Sequence, residues 1–268
     1  FGAPDAWRER DDVWIDFLGR RGPLTVGYGG RDKIGPELDF GHTIGDASDA
    51  PVVLIKCAWG GKSLFRDFRP PSAGLPGDAN LAELLEREQE RDPDATLDDV
   101  RQSFGHYYRE TMRHVAEVRA QLGTLFPKLE GREHELLGFV WFQGWNDMID
   151  VEATAEYAAN MVHFVHDVRR ELGEPELPFV IGQLGVGGEG EQDAKREAFK
   201  RAQARAAEAM GLERVALVRT DAFWDHEAQA VFDRGWKEHL EEWEKVGSDY
   251  PYHYLGSART YSDIGRAF

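Results

Sequence analysis

Gln143, Asn146 and Asp147 close the stretch Leu137–Asp147 (LGFVWFQGWND), where an apolar run stops at Gly144 among amide and acid side chains. A buried strand delivers polar groups to the end of a sheet in this way. In an open parallel sheet ligands bind at the carboxyl edge, so these side chains would sit where chemistry takes place. A second candidate is Ser248-Asp249-Tyr250-Pro251-Tyr252-His253-Tyr254, which puts an acid four residues ahead of a histidine in a Pro-containing loop. A histidine whose tautomer is fixed by a carboxylate can serve as a general base; the alternative is a histidine packed among tyrosines for structural reasons. Third comes Trp59-Gly60-Gly61-Lys62-Ser63, a turn directly after PVVLIKCA. Its glycines suit close backbone approach to a substrate or a neighbouring loop, and Ser63 is the one serine at a Gly-rich strand end.

The elements that must position these groups alternate. PVVLIKCAW, the run before QGWND, LPFVIGQLG and RVALVRT read as strands, the first of them buried on both faces. A short helix around Leu38, Gly41 and Ile44 or Gly45 follows the turn at Pro36. Between the strands, Thr96–Leu122 shows one amphipathic face capped by Thr96, Glu152–Leu172 repeats the pattern and ends at Gly173, and Asp193–Met210 is rich in Ala and charge. DDVWIDFLG and GPLTVGYGG read as edge strands or loop excursions, and residues 66–80, with Pro70, Pro71 and Pro76, as a surface loop. Connections of crossover length predict an α/β fold, a parallel sheet covered by helices on both faces, in one domain over 1–268.

Composition narrows the partners. With 32 Lys+Arg against 49 Asp+Glu the formal charge is -17, which opposes nucleic acid and anionic membrane surfaces. Cys57 is the single cysteine, so the chain holds no internal disulfide and no thiolate metal cluster. His163 and His166 could share a helix face, but no third ligand joins them, and no metal is expected. Gly185-Val186-Gly187-Gly188-Glu189-Gly190 satisfies G-x-G-x-x-G; Glu189, Glu191 and Asp193 would repel a pyrophosphate there, so a loop is expected and a dinucleotide is not. The sequence contains no run of eighteen apolar residues and no charged-then-apolar leader, which leaves compartment and oligomeric state open.

Taken in order, Gly35 in IGPELDFG, then VVLIKCAWGGKSLFRDFRPPSAG, then GFVWFQGWNDM, then YHYLGSARTYSDIG resemble the SGNH hydrolase superfamily. More narrowly they resemble carbohydrate O-acetylesterases of the sialate O-acetylesterase and acetylxylan esterase type. That resemblance implies a three-layer α/β/α sandwich, SGNH or flavodoxin-like, and a serine-type hydrolase acting on carbohydrate esters without a cofactor. His253 would be the base and Asp249 its orienting acid; Gly35 would donate a backbone N–H to the oxyanion. The side-chain donor is Gln143 if QGWND matches Q-G-E-x-D, or Asn146 if it matches G-x-N-D. Trp59, Gly60, Gly61, Lys62, Ser63 and Trp145 would line the substrate site, and a secreted or periplasmic setting is implied.

Two departures stand out. Tyr250 occupies the acid position of D-x-x-H, and no G-Q-S-N-like turn bears a nucleophile. The expectation is therefore a domain lacking its first strand and trimmed slightly at the C-terminus, or a divergent member with Ser63 as fallback nucleophile. The rival reading is a noncatalytic carbohydrate-binding module or inactive fragment.

Overall fold

The computed structural model describes residues 9–30, 33–190, 193–209 and 212–268. Among the described residues six strands form two three-stranded sheets, and α5 (Leu122–Leu125), α9 (His226–Asp233) and α10 (Leu240–Val246) join the helices placed below. In the first, β1 (Val13–Phe17) lies between β2 (Arg20–Pro23), to which it is antiparallel, and β3 (Val52–Lys56), to which it is parallel. In the second, β4 (Phe139–Trp141), β5 (Phe179–Gln183) and β6 (Val215–Arg219) are all parallel. The expected α/β class with mostly parallel strands and helical layers is what the chain adopts.

Strand alternation sorts the helices into two layers. Val13, Ile15, Val52 and Leu54 face α1 (Glu37–Asp46) through Leu38 and Ile44. On the opposite face Trp14, Val53 and Ile55 meet Val118 of α4 (His106–Ala120) and the segment around Phe126 and Leu129. In the second sheet Trp141, Phe179 and Ile181 pack with Tyr108 and Met112 of α4, with α7 (Val151–Leu172) and with α8 (Ala194–Ala207). Phe142 and Gly182 turn the other way, to Phe268 at the end of α11 (Ala258–Ala267). Helix α1 packs on α11, so close that a Cβ at Gly265 would lie 2.3 Å from the Pro36 carbonyl. Thus α4 on one side and the α1–α11 pair on the other hold both sheets in one middle layer. Across that layer β3 and β4 present edges without a strand partner among the described residues.

Four expectations need correction. DDVWIDFLG is no edge strand: Val13 and Ile15 are fully buried because β1 has a strand on each side. PVVLIKCAW is not buried throughout; only Val52 is, and Val53 to Lys56 are half-buried because one edge of β3 is open. The helix expected over Thr96–Leu122 breaks into α3 (Leu97–Ser103) and α4 at Gly105, whose φ of +67° and 2.6 Å Cβ approach to the Arg69 carbonyl admit glycine alone. Within the loop expected over residues 66–80, Pro71–Ala73 form a 3-10 turn, Asp78 opens α2 (Asp78–Gln89), and Phe68, Arg69 and Pro70 are buried; the Arg69 guanidinium reaches Glu156, 3.1 Å away.

The expected caps form. The Thr96 hydroxyl and Asp99 form a reciprocal cap on α3, a device contributing about 1 kcal/mol. Asp150 caps α7, which ends at Gly173 in the left-handed conformation. The Gly185–Gly190 glycines serve packing: Gly185 abuts the Asp221 backbone and Gly188 lies against Trp224. Glu191 of that loop and Met210 beyond α8 lie outside the described residues. His163 bonds Ser72 Oγ at 2.8 Å, and no group of three or more His, Cys, Asp or Glu side chains among the described residues could hold a metal ion. Burial pushes the Cys57 thiol up to about 12, which leaves it unreactive. None of the described helices is long and apolar enough to cross a membrane.

Candidate active site

Strand β4 ends at Trp141, and Gly144 turns the chain into the short helix α6 (Trp145–Met148). A Cβ at Gly144 would lie 2.5 Å from the Phe199 ring, so only glycine allows this turn. The geometry drives Asp147 inward, where it is wholly buried. Its carboxylate accepts the Leu64 and Phe65 N–H groups at 2.9 Å each and Gln143 Nε2 at 2.6 Å. Asp147 thereby fastens the loop after β3 to the end of β4, joining the two sheets at their carboxyl edge. Burial wins over these three donors, and its pKa is pushed up to about 6.

The two amides differ. Gln143 Nε2 donates to the Lys62 carbonyl at 2.8 Å as well as to Asp147, so both its N–H groups are in use. Its Oε1 is buried with no donor among the described residues. Asn146, half-buried on the first turn of α6, makes no side-chain hydrogen bond among the described residues and has both N–H groups to offer.

In the loop after β3, Trp59 packs on Tyr107 and Phe68 at ring distances of 4.9 and 6.1 Å. Gly61 is left-handed with φ +70°. Lys62 Nζ lies 4.5 Å over the Tyr107 ring and 3.4 Å from Asp67. Ser63 Oγ donates to Asp67 Oδ2 at 3.2 Å and accepts the Arg66 N–H at 3.1 Å, which makes it a turn-capping hydroxyl. Beside this loop opens a cavity of about 940 Å³, lined among others by Gly61, Lys62, Arg66, His106 and Tyr107.

Gly35 is buried before α1, and its N–H donates to Glu37 Oε1 at 3.0 Å. The other Glu37 oxygen holds Lys56 Nζ at 2.9 Å, and that ammonium also donates to the Tyr28 carbonyl at 2.6 Å. The donor expected at Gly35 is therefore engaged by a neighbouring carboxylate. Glu37, quoted within the GPE motif, had no role assigned from sequence; its position two residues after the glycine was the available signal.

His253 and Asp249 do come together. His253 Nδ1 lies 3.2 Å from Asp249 Oδ1, leaving Nε2 without a partner among the described residues. The intervening turn, closed by the His253 N–H donating to the Tyr250 carbonyl at 2.9 Å, makes four-residue spacing work. Tyr254 and Leu255 adopt left-handed φ values of 51° and 60°, a conformation costly for non-glycine residues, and fold the chain back on itself. The anchor is the buried Tyr254 hydroxyl, which accepts the Gly185 N–H and pairs with Thr220 Oγ1, each at 2.8 Å. Partial burial alone would raise the Asp249 pKa, but the Tyr250 N–H and the His253 ring outweigh it and hold the carboxyl below its usual range.

Side-chain contacts gather these corners along one edge. Trp145 meets Tyr252 at a ring distance of 5.7 Å, Lys33 Nζ bonds the Ser248 carbonyl at 3.2 Å, and Gln143 bonds Lys62. Sequence reasoning had assigned no part to Lys33, Asp67 or Tyr254, each of which acts through partners distant in the chain or in an unrecognised turn.

A three-layer α/β/α fold thus carries a histidine–aspartate pair and, among the described residues, an unengaged amide at the carboxyl edge of its strands. The chain belongs to the family described as carbohydrate esterase, sialic acid-specific acetylesterase, whose model matches residues 18–234. That match takes in Gly35, the WGGKS loop and QGWND but ends before Asp249 and His253. No curated protein matches the chain in sequence. Among solved structures it is similar to a protein from Arabidopsis thaliana, with 15% identity, a TM-score of 0.57, and coverage of 97% of this chain and 79% of that one. It is also similar to a novel carbohydrate acetylesterase from Xanthomonas citri, with 13% identity, a TM-score of 0.54, and coverage of 96% of this chain and 48% of that one. At these identities the likeness is one of fold.

Proposed function

We propose that this chain supplies the base, oxyanion donor and substrate loops of a serine-type carbohydrate O-acetylesterase acting on acetyl esters of sugars such as acetylxylan or sialate. The observation that carries the reading is the His253–Asp249 pair, with Nδ1 held at 3.2 Å and Nε2 open. A serine hydroxyl facing Nε2 would lose its proton to His253 as Oγ attacks the acetyl carbonyl. His253 would then return the proton to the departing sugar oxygen, and water would release acetate by the same relay. Asn146, rather than Gln143, is assigned to the oxyanion, since both Gln143 N–H groups are already used.

The nucleophile is proposed to arrive on an extended strand seated between β3 and β4, parallel to both, with its Gly-x-Ser turn at their carboxyl ends. The open facing edges and the donor-less Oε1 of Gln143 support this, and the binding of Ser63 to Asp67 and Arg66 argues against Ser63 itself. In the test, the chain preceded by such a strand hydrolyses p-nitrophenyl acetate and acetylated xylo-oligomers, and His253→Ala removes the activity. Full activity in that variant rejects His253 as base. A second reading, a noncatalytic carbohydrate-binding module, is favoured by the lack of any serine hydroxyl bonded to His253 among the described residues. It predicts sugar binding with no turnover even when the strand is present.

A further inference from the structure

Tyr250 and Tyr252 are 44% and 42% exposed, while their neighbours Tyr254 and Leu255 are buried. The turn at 251–256 therefore sends alternate aromatic rings outward with nothing in the core to explain them. The two rings stack on each other, 5.5 Å between centroids and 6° between planes. At one end the stack continues through Tyr252 to the His253 ring at 4.6 Å and to Trp145 at 5.7 Å. At the other end Tyr250 meets Trp236 and Phe232, each at 6.3 Å. A row of half-exposed rings thus leads away from the open Nε2 of His253 across the surface, and a contiguous exposed apolar strip of this kind marks a binding site.

We propose that this row is a shelf for consecutive pyranose rings of a neutral glycan chain, on the side of the sugar that leaves when the ester is cut. Aromatic rings present an electron-rich face, and the C–H face of a pyranose is its complement. The strip is also bordered by groups suited to sugar hydroxyls: the tyrosine hydroxyls, the Asp249 carboxylate and the Ser248 side chain. The row offers more than one ring to an extended chain, with Tyr250 and Tyr252 near-parallel at its centre, so the shelf selects an oligosaccharide over a single sugar. The proposal rests on reading His253 as the base only for its direction along the shelf; binding itself requires no nucleophile.

The test uses the 268-residue chain with unacetylated xylose, xylobiose and xylohexaose, followed by titration calorimetry and by the fluorescence of the tryptophans. Affinity is expected to rise at least about tenfold from xylose to xylohexaose, and Tyr250→Ser/Tyr252→Ser to remove that gain. Tyr252→Phe, which keeps the face and drops the hydroxyl, should retain most of it, and the thermal transition of each variant checks that the fold is intact. Xylohexaose binding no tighter than xylose, or binding undiminished in the folded double variant, overturns the shelf. Chain-length-dependent binding, together with no hydrolysis of p-nitrophenyl acetate by the unsubstituted, strand-supplied chain, would leave the shelf standing and reject the catalytic reading instead.

Discussion

The QGWND corner and the 248–256 turn each bring a carboxylate to the same edge of the molecule, and their pKa values are shifted in opposite directions. Asp147 accepts three hydrogen bonds, yet burial outweighs those neutral donors and its pKa is pushed up to about 6. Asp249 is half-exposed, with the His253 ring 3.2 Å away and Lys33 Nζ at 4.0 Å, and its pKa is lowered. The number of hydrogen bonds does not set the protonation state; desolvation weighed against nearby positive charge does. The first corner is consequently a latch between sheets, and the second an orienter for a base.

Substitutions separate the two roles. After the loss of activity expected for His253→Ala, the largest effect on turnover is expected at Asn146: in the active, strand-supplied chain Asn146→Ala should lower kcat by about 10²- to 10³-fold with little change in KM. Steady-state kinetics on p-nitrophenyl acetate would show this, and an unchanged kcat would move the donor elsewhere. Asp147→Ala leaves the Leu64, Phe65 and Gln143 donors without an acceptor and should cost about 3 kcal/mol in urea unfolding, with activity falling only as the fold is lost.

A pH series sharpens the same contrast. The folded state binds the Asp147 proton more tightly than the unfolded chain does, since about 6 lies above the ordinary aspartate value of 3.8. Its contribution to stability is therefore fully present below about pH 4 and is lost as pH rises through about 6, a change of about 3 kcal/mol. The difference in unfolding free energy between the parent chain and Asp147→Asn should follow that window; a flat difference would mean the carboxyl is charged throughout.

Smaller effects are expected at the exposed corner. Asp249→Asn should reduce kcat about tenfold while leaving the melting temperature in place, because the aspartate orients an exposed ring and supports little of the core. Ser63→Ala should change kcat less than twofold; loss of activity there would restore Ser63 as nucleophile.

Much of the architecture was legible because it rests on local signals. Asp150 and Gly173 bound α7 through capping chemistry, and the apolar runs at Phe139, Phe179 and Val215 begin strands as their patterns require. The interior place of β1 was not legible, since a five-residue segment is buried by what pairs on either side of it. Nor was the break at Gly105, which is imposed by the Arg69 carbonyl from a loop thirty-odd residues earlier. At the site, pairing of Asp249 with His253 was foreseen from spacing, while the engagement of Gly35 by Glu37 and of Gln143 by Lys62 depended on contacts between elements.

What the sequence alone determined was the inventory: alternating strands and helices, and amides, an acid and a histidine placed at element ends by the turn residues beside them. Only the tertiary structure decided their states. Burial among three donors made Asp147 a latch, the partners of Gln143 left Asn146 as the unengaged donor, and the turn closed between Tyr250 and His253 brought an acid four positions away against the ring. Desolvation and hydrogen-bond competition are set by neighbours in space, and no single segment of the chain encodes them.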